Sequence, residues 1–257
     1  MASNLNLTAK TFKSLHKPHQ PVVLANVYDG ISAKTIASLP SSKAIGTASY
    51  AIAEAAGIND EALTLEENIR ATKIIASSVK ESGKPLTVDI QDGYGEQLED
   101  AIKQVIEAGA VGVNLEDFDK EKKQFYSAAD AVDRVKRALA TASALGVPDF
   151  VVNARADALI YGGALDEVVS RGQAFLAAGA TTVFVMGPMD RPVPGALTKE
   201  EITKLVEAFE GRVNVGPGAL STKEVAALGV SRISVGPGLQ FAAVAAIKNS
   251  AEQILDV

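Results

Sequence analysis

The sequence has no cysteine, no tryptophan and only two histidines, His16 and His19. Without thiols there is no cysteine nucleophile, no zinc–thiolate or iron–sulfur site and no disulfide framework. Basic residues are also short, 25 against 31 acidic, for a formal charge of −6. Nucleic-acid binders carry a basic excess or a basic stripe, and neither is present. The densest basic stretch, Lys120-Glu121-Lys122-Lys123, is interrupted by an acid and reads as a solvated loop. Long apolar runs are missing too, since no window approaches the roughly 18 residues of a membrane helix. The opening residues, Met-Ala-Ser-Asn-Leu-Asn-Leu-Thr, lack the charged region and apolar run of a secretory signal. These absences predict a cytoplasmic protein with no nucleic-acid and no membrane partner.

What the chain does have is alternation. Its 257 residues are 47% apolar and 22% charged, an ordinary globular composition and enough for a core that needs no staple. Short runs rich in Val and Ile fall at 22–26, 44–47, 85–90, 111–116, 150–155, 182–186, 213–215 and 233–235. Segments of helical spacing lie between them: 31–39, 65–79 with Thr64 as N-cap, 97–108 stopped by Gly109, and 128–145 stopped by Gly146. The series continues with 165–178, 199–209, 222–228 and 239–255. Each strand–helix pair takes about 32 residues, the size of one βα unit. Even alternation predicts a parallel sheet, and eight units at this length favour a (β/α)8 TIM barrel over an open doubly wound sheet. The first run leads into Asn26-Val27-Tyr28-Asp29-Gly30 and not into a glycine-rich dinucleotide turn, which also speaks against the open sheet. One barrel domain over 1–257 is expected, with 1–20 as an N-terminal lead-in and 239–257 as the final helix.

In such barrels the chemistry sits at the C-terminal ends of the strands. The polar residues at the ends of successive runs are Asn26 and Asp29, then Thr47, Ser49 and Tyr50, then Asp89, Gln91 and Asp92, then Glu116 and Asp117, then Arg155 and Asp157, and later Asn214. Asp89 and Glu116 close adjacent strands, so their carboxylates meet at one rim and repel unless a cation neutralises them. An oxygen-rich set without His or Cys suits Mg²⁺ or Mn²⁺. Asp92 and Asp117 read more simply as helix caps or partners of surface lysines. Arg155, in Asn153-Ala154-Arg155-Ala156-Asp157, is placed to hold a carboxylate or phosphate in bidentate fashion, or to pair internally with Asp157 or Glu116. Gly216-Pro217-Gly218 and Gly236-Pro237-Gly238 are either tight turns or phosphate-binding loops.

Taken in order, these stretches resemble the isocitrate lyase/phosphoenolpyruvate mutase superfamily, and more closely its short generic branch, from about Pro21 to Ala243. The resemblance is carried by Asn26-Val27-Tyr28-Asp29-Gly30-Ile31-Ser32-Ala33, by Ile45-Gly46-Thr47-Ala48-Ser49-Tyr50 with Gly57-Ile58-Asn59-Asp60 after it, and by Val88-Asp89-Ile90-Gln91-Asp92-Gly93-Tyr94-Gly95. Gly112-Val113-Asn114-Leu115-Glu116-Asp117, the Arg155 stretch and Val213-Asn214-Val215 complete it. It implies a phosphoenolpyruvate-binding type of barrel whose Mg²⁺ is held mainly by Asp89, with Glu116, Asp60 and Gln91 reaching it through water. It implies that backbone N–H groups near Ser49 and Tyr50, with Arg155 and Asn214, hold a small 2-oxo or dicarboxylic acid. Arg155, Asp60 and Glu116 then serve a reaction at C3 of that acid through an enolate, as a carbon–carbon lyase or an oxaloacetate-type hydrolase or decarboxylase, or in a phosphonomutase-like variant.

Two departures qualify what is implied. The lyase branch's Lys-Lys-Cys-Gly-His loop is replaced by Phe118-Asp119-Lys120-Glu121-Lys122-Lys123-Gln124-Phe125-Tyr126, which speaks against authentic isocitrate or 2-methylisocitrate cleavage and leaves Lys120, Lys122 and Tyr126 as lid residues. Gln91 stands where an acid is usual, which weakens a metal's outer shell by about 10–100-fold if second-shell behaviour holds. The alternative is a metal-independent or non-catalytic barrel that binds a small carboxylate. A homo-oligomer, dimer or tetramer, is expected, with Phe241, Val244, Ile247 and Ile254 of the last helix facing a neighbour or else covering the barrel.

Overall fold

The computed structural model describes residues 2–256. Its main sheet runs through β1 (Val22–Leu24), β2 (Ile45–Gly46), β3 (Leu86–Asp89) and β4 (Gly112–Glu116), then β7 (Val151–Ala156), β8 (Thr182–Val185), β9 (Val213–Val215) and β10 (Arg232–Ser234). Between β4 and β7 a small hairpin, β5 (Phe118–Asp119) with β6 (Gln124–Phe125), stands apart. The spatial order β1-β10-β9-β8-β7-β4-β3-β2 is parallel throughout, and a parallel bridge between Val27 and Thr47 joins its two ends. This is the expected eight-stranded barrel.

Eight helices lie outside the barrel: α2 (Gly30–Ser38), α4 (Leu65–Val79), α5 (Leu98–Glu107), α6 (Ala128–Ala144), α7 (Leu165–Ala177), α8 (Lys199–Ala208), α9 (Thr222–Ala227) and α10 (Gly238–Leu255). Two more, α1 (Ala2–Ser14) and α3 (Ser49–Ala56), sit at its two ends. Residue spacing explains the outer helices. On α5, Leu98, Ala101, Ile102, Val105 and Ile106 recur at three and four residues and are all buried, each large side chain contributing about 1.5–3 kcal/mol on burial. Thr64 caps α4 as expected, in a reciprocal box with Glu67. Strand positions that point outward, such as Val88, Val113 and Ile233, pack the helices, while alternate positions fill the barrel.

The segment 1–20, expected as a lead-in, is largely helical. Ala9 and Phe12 of α1 are fully buried, and Phe12 approaches Gly112 so closely that a Cβ there would meet its ring at 3.1 Å and the Val151 carbonyl at 2.8 Å. Helix α1 therefore plugs the N-terminal end of the barrel. Helix α3 is absent from the sequence expectation, because its residues come directly after a strand with no polar cap. The stretch around Lys120, read as solvated loop, forms the β5–β6 hairpin, whose Phe118 stacks on Tyr161 at 4.0 Å between ring centroids. On α10, Phe241, Val244, Ile247 and Ile254 are exposed and do not cover the barrel. Among the described residues no helix is long and apolar enough to cross a membrane.

Candidate active site

The rim above the C-terminal strand ends is built around Asp89, the last residue of β3. Its backbone is held from two sides: its N–H donates to Thr47 Oγ1 at 2.9 Å, and its carbonyl accepts from Asn68 Nδ2 at 2.8 Å. Its Oδ2 accepts from both the N–H and the hydroxyl of Ser49, each at 3.1 Å. Its Oδ1 is buried and has no partner. A buried carboxylate oxygen without a donor or cation is costly, so this atom marks where a ligand belongs.

The chain past Asp89 is unusual. Gln91, Gly93, Tyr94 and Gly95 all have positive φ, between 52° and 78°. For Gln91 and Tyr94 that conformation is sterically unfavourable, and such residues persist where the surroundings over-determine them, often at functional sites. The result turns Gln91 back over the rim. Its Nε2 donates to the carbonyl and Oδ1 of Asp60, both at 2.9 Å, and its Oε1 accepts from Lys120 Nζ at 2.5 Å. Lys120 also reaches the Leu63 carbonyl at 2.7 Å, so this side chain latches the hairpin to the rim. Burial lowers the Lys120 pKa from its ordinary value.

Across the rim, Arg155 pairs with Glu116 through Nη1 and with Asp157 through Nε, each at 2.6 Å. Both internal partners weighed from the sequence are thus engaged at once. Burial pushes Glu116 well above the usual carboxylate range, against the pull of Arg155, and the carboxylates of Asp157, Asp89 and Asp60 add to the rise. Asp60 is raised as well, by burial and then by Asp89. Burial works against the charge on Arg155, but its two carboxylates outweigh that and keep it firmly cationic. Four carboxylates therefore converge around Arg155, with Lys120 at the edge, and their mutual repulsion favours an added cation.

The residues present fit a divalent ion of the Mg²⁺ type. Among the described residues no group of three or more His, Cys, Asp or Glu side chains forms a cage, but Mg²⁺ keeps several waters and uses one or two carboxylates. Asp89 Oδ1 is free to serve as a direct ligand, and the charges of Asp60 and Glu116 act on the same site.

Other expected site residues are placed differently. Helix α3 begins at Ser49, so the first-turn N–H groups of Tyr50 and Ala51 have no intrahelical acceptor. The Tyr50 ring itself points away and meets Phe241 edge-on at 5.9 Å. Lys122 pairs with Asp119 at 3.1 Å on the surface and does not join the rim. The Tyr126 hydroxyl donates to Asp92 Oδ2 at 2.9 Å and its ring lies under Arg134, which makes it wall and not lid. Asn214 is fully buried in the barrel interior, where Nδ2 donates to Ser234 Oγ at 3.2 Å. Asp92 and Asp117 are not surface residues: Asp92 accepts from the Tyr94 N–H, and Asp117 accepts from the Asp157 N–H and from Arg171. Gly236 spends its N–H on Asn26 Oδ1, which leaves that glycine turn one donor fewer for a phosphate. A cleft of about 800 Å³ between α4 and α5, lined by Arg70, Lys73 and Asp100 among others, shares no residue with the rim.

Sequence reasoning placed Thr47 at a strand end without its hold on Asp89, and it missed both Asn68 and Arg232. Arg232 stands one residue before the apolar run read as the eighth strand, so nothing in that run announced it.

The comparisons with known proteins agree with this architecture. A family model described as phosphoenolpyruvate phosphomutase matches residues 12–255. The oxaloacetate decarboxylase of Paraburkholderia xenovorans is 30% identical over 80% of this chain and 70% of its own length. The phosphoenolpyruvate phosphomutase of Streptomyces hygroscopicus is 28% identical over 90% of this chain and 75% of its own. The structure of an oxaloacetate acetylhydrolase in complex with its product oxalate superposes with a TM-score of 0.83 at 26% identity, covering 97% of this chain and 88% of that one. Several relatives are enzymes by name, among them an oxaloacetate decarboxylase, a 2-methylisocitrate lyase, a phosphonopyruvate hydrolase and a phosphoenolpyruvate phosphomutase. A barrel with this rim, matched over nearly its whole length, belongs to the phosphoenolpyruvate phosphomutase family within the isocitrate lyase/phosphoenolpyruvate mutase superfamily.

Proposed function

We propose that this protein is a Mg²⁺-dependent enzyme, with Mn²⁺ as a substitute, that breaks or forms a bond at C3 of a small 2-oxo acid of the oxaloacetate class. Carbon–carbon lysis, hydrolysis and decarboxylation are the reactions to be distinguished. The observation that carries the reading is Asp89 Oδ1, buried and unpartnered beside the Arg155–Glu116 pair. When bound by Asp89 directly, and by Asp60, Gln91 and Glu116 through water, the ion supplies Lewis acidity where negative charge develops on the 2-oxo oxygen. The protein's own groups do the rest. Ser49 holds Oδ2 of Asp89 and so aims Oδ1. Arg155, fixed by two carboxylates, presents preorganised positive charge to the substrate carboxylate. Lys120 places a second cation at the mouth, opposite a distal carboxylate or leaving group.

The reading also takes the protein as a homo-oligomer, dimer or tetramer, on the strength of the bare apolar face of α10, and as cytoplasmic, as expected from the sequence. Its competitor is a barrel that binds a small carboxylate without metal. That view is favoured by Gln91, which spends its amide on Asp60 and Lys120 and brings no charge to an ion.

Calorimetric titration with oxalate decides between them. Binding should require Mg²⁺, and Asp89→Asn should weaken it by more than about 100-fold, beyond the second-shell range, while abolishing pyruvate, glyoxylate or acetate release from a panel of 2-oxo and 2-hydroxy diacids. Equal oxalate affinity with Mg²⁺ and with EDTA would establish the metal-free barrel instead.

A further inference from the structure

Arg232 is fully buried, at 0% exposure, yet it has no carboxylate partner. From β10 its side chain crosses the barrel lumen, and Nη2 donates to Asn114 Oδ1 on β4 at 2.9 Å. Nε donates to Ser234 Oγ at 3.3 Å, and Nη1 is buried without any partner. Asn114 also accepts from Asn153, whose own Oδ1 accepts from Thr182, so the guanidinium rests on a fully neutral network. The aromatic ring of Phe12 lies 6.0 Å away on the α1 side.

A buried guanidinium met only by neutral groups is uncommon, because desolvation is unrepaid unless a carboxylate is near. Burial brings its pKa down to about 9, which leaves it cationic at neutral pH. The carboxylate whose field opposes this is Asp89, and Asn114, which Arg232 grips, is the register partner of Asp89 on the neighbouring strand. The unpaired charge therefore sits inside the barrel, between the Phe12 plug and the layer of the sheet that holds Asn114 and its register partner Asp89.

We propose that Arg232 is a positioning residue that sets the charge balance of the site: a fixed buried cation that disfavours a bare divalent ion at Asp89 and favours an anionic oxo acid, so that the acid's charge offsets the penalty on the ion. This rests on the metal and oxo-acid reading above. The physical reason is that a cation in a low-dielectric lumen acts with opposite sign on ligands of opposite charge. A residue that merely fills space acts on both with the same sign.

The test is calorimetry with Mg²⁺ alone, oxalate alone, and oxalate at saturating Mg²⁺. Arg232→Gln should tighten Mg²⁺ and weaken oxalate, each by roughly three- to thirty-fold, and Arg232→Lys should stay near the starting protein. Asn114→Asp sets a carboxylate against the intact guanidinium and should shift both constants in the same senses as Arg232→Gln; it decides the matter if Arg232→Gln does not fold. Parallel weakening of both ligands, or no change in either, overturns the proposal while leaving the enzyme reading intact. Absence of Mg²⁺-dependent oxalate binding in the unsubstituted protein sinks both.

Discussion

A buried imidazole with no partner on Nε2 makes a protein sensitive to acid. His16 has its Nδ1 against the Phe12 carbonyl at 2.9 Å, and Nε2 is buried and free. Burial, and then the charge of Arg232, lower its pKa from 6.5 to about 3. The unfolded chain thus takes up a proton below pH 6.5 that the folded chain refuses until about pH 3. This contribution to stability is complete above pH 6.5 and falls as the pH drops through that window. By about pH 4.5 the loss should be on the order of 3 kcal/mol, and His16→Gln should remove most of it. Urea denaturation at about pH 7.5 and about pH 4.5 measures the difference; an identical pH dependence in the variant would show that the imidazole titrates freely. At the same scale, Gln91 and Lys120 show what a single letter conveys. The sequence shows an amide where an acid is usual, and only the folded chain shows that the amide links Asp60 to Lys120.

Among the elements, α1 is where sequence reading and structure part most clearly. Its pattern is modest and polar, and it precedes the first strand, so no barrel unit claims it. Tertiary packing gives it a role: Phe12 enters the barrel foot, and Gly112 on β4 is bare to admit it. Phe12→Ala should cost about 3–5 kcal/mol, as expected for a fully buried ring, read as a shift in the denaturation midpoint with an unchanged slope. A loss under about 1 kcal/mol would mean that α1 is an ornament on the barrel. The β5–β6 hairpin is the converse case. Its letters read as a loop with lid lysines, but pairing between Phe118 and Phe125 and stacking on Tyr161 turn Lys120 inward and Lys122 outward.

For the molecule as a whole, the large exposed apolar surface of α10 calls for a partner. Phe241, Val244, Ile247 and Ile254 are each more than half exposed, and Tyr50 at the rim touches Phe241. Patches of this kind commonly mark association sites, and the proposed homo-oligomer would use this one. Sedimentation at micromolar concentration should report a dimer or tetramer, and Phe241→Asp with Ile247→Asp should shift it to smaller species. A monomer in the unsubstituted protein would reject this assignment.

Strand and helix periods, caps and strand-end polar residues are local properties, and they sufficed to derive the eight-unit barrel and to name Asp89, Glu116 and Arg155 as rim residues, whereas Asp60 came only from the family resemblance. Which of those atoms are free could not be derived locally. Asp89 Oδ1 is unpartnered only because Ser49, from another unit, takes Oδ2, and Arg155 is divided between two carboxylates only because β4 and β7 pair in that register. Arg232 faces the lumen because β10 pairs Arg232 with Val22 on one side and Asn214 on the other. A one-residue slip in a strand turns a side chain from core to exterior, and that phase is settled by neighbours distant in the chain.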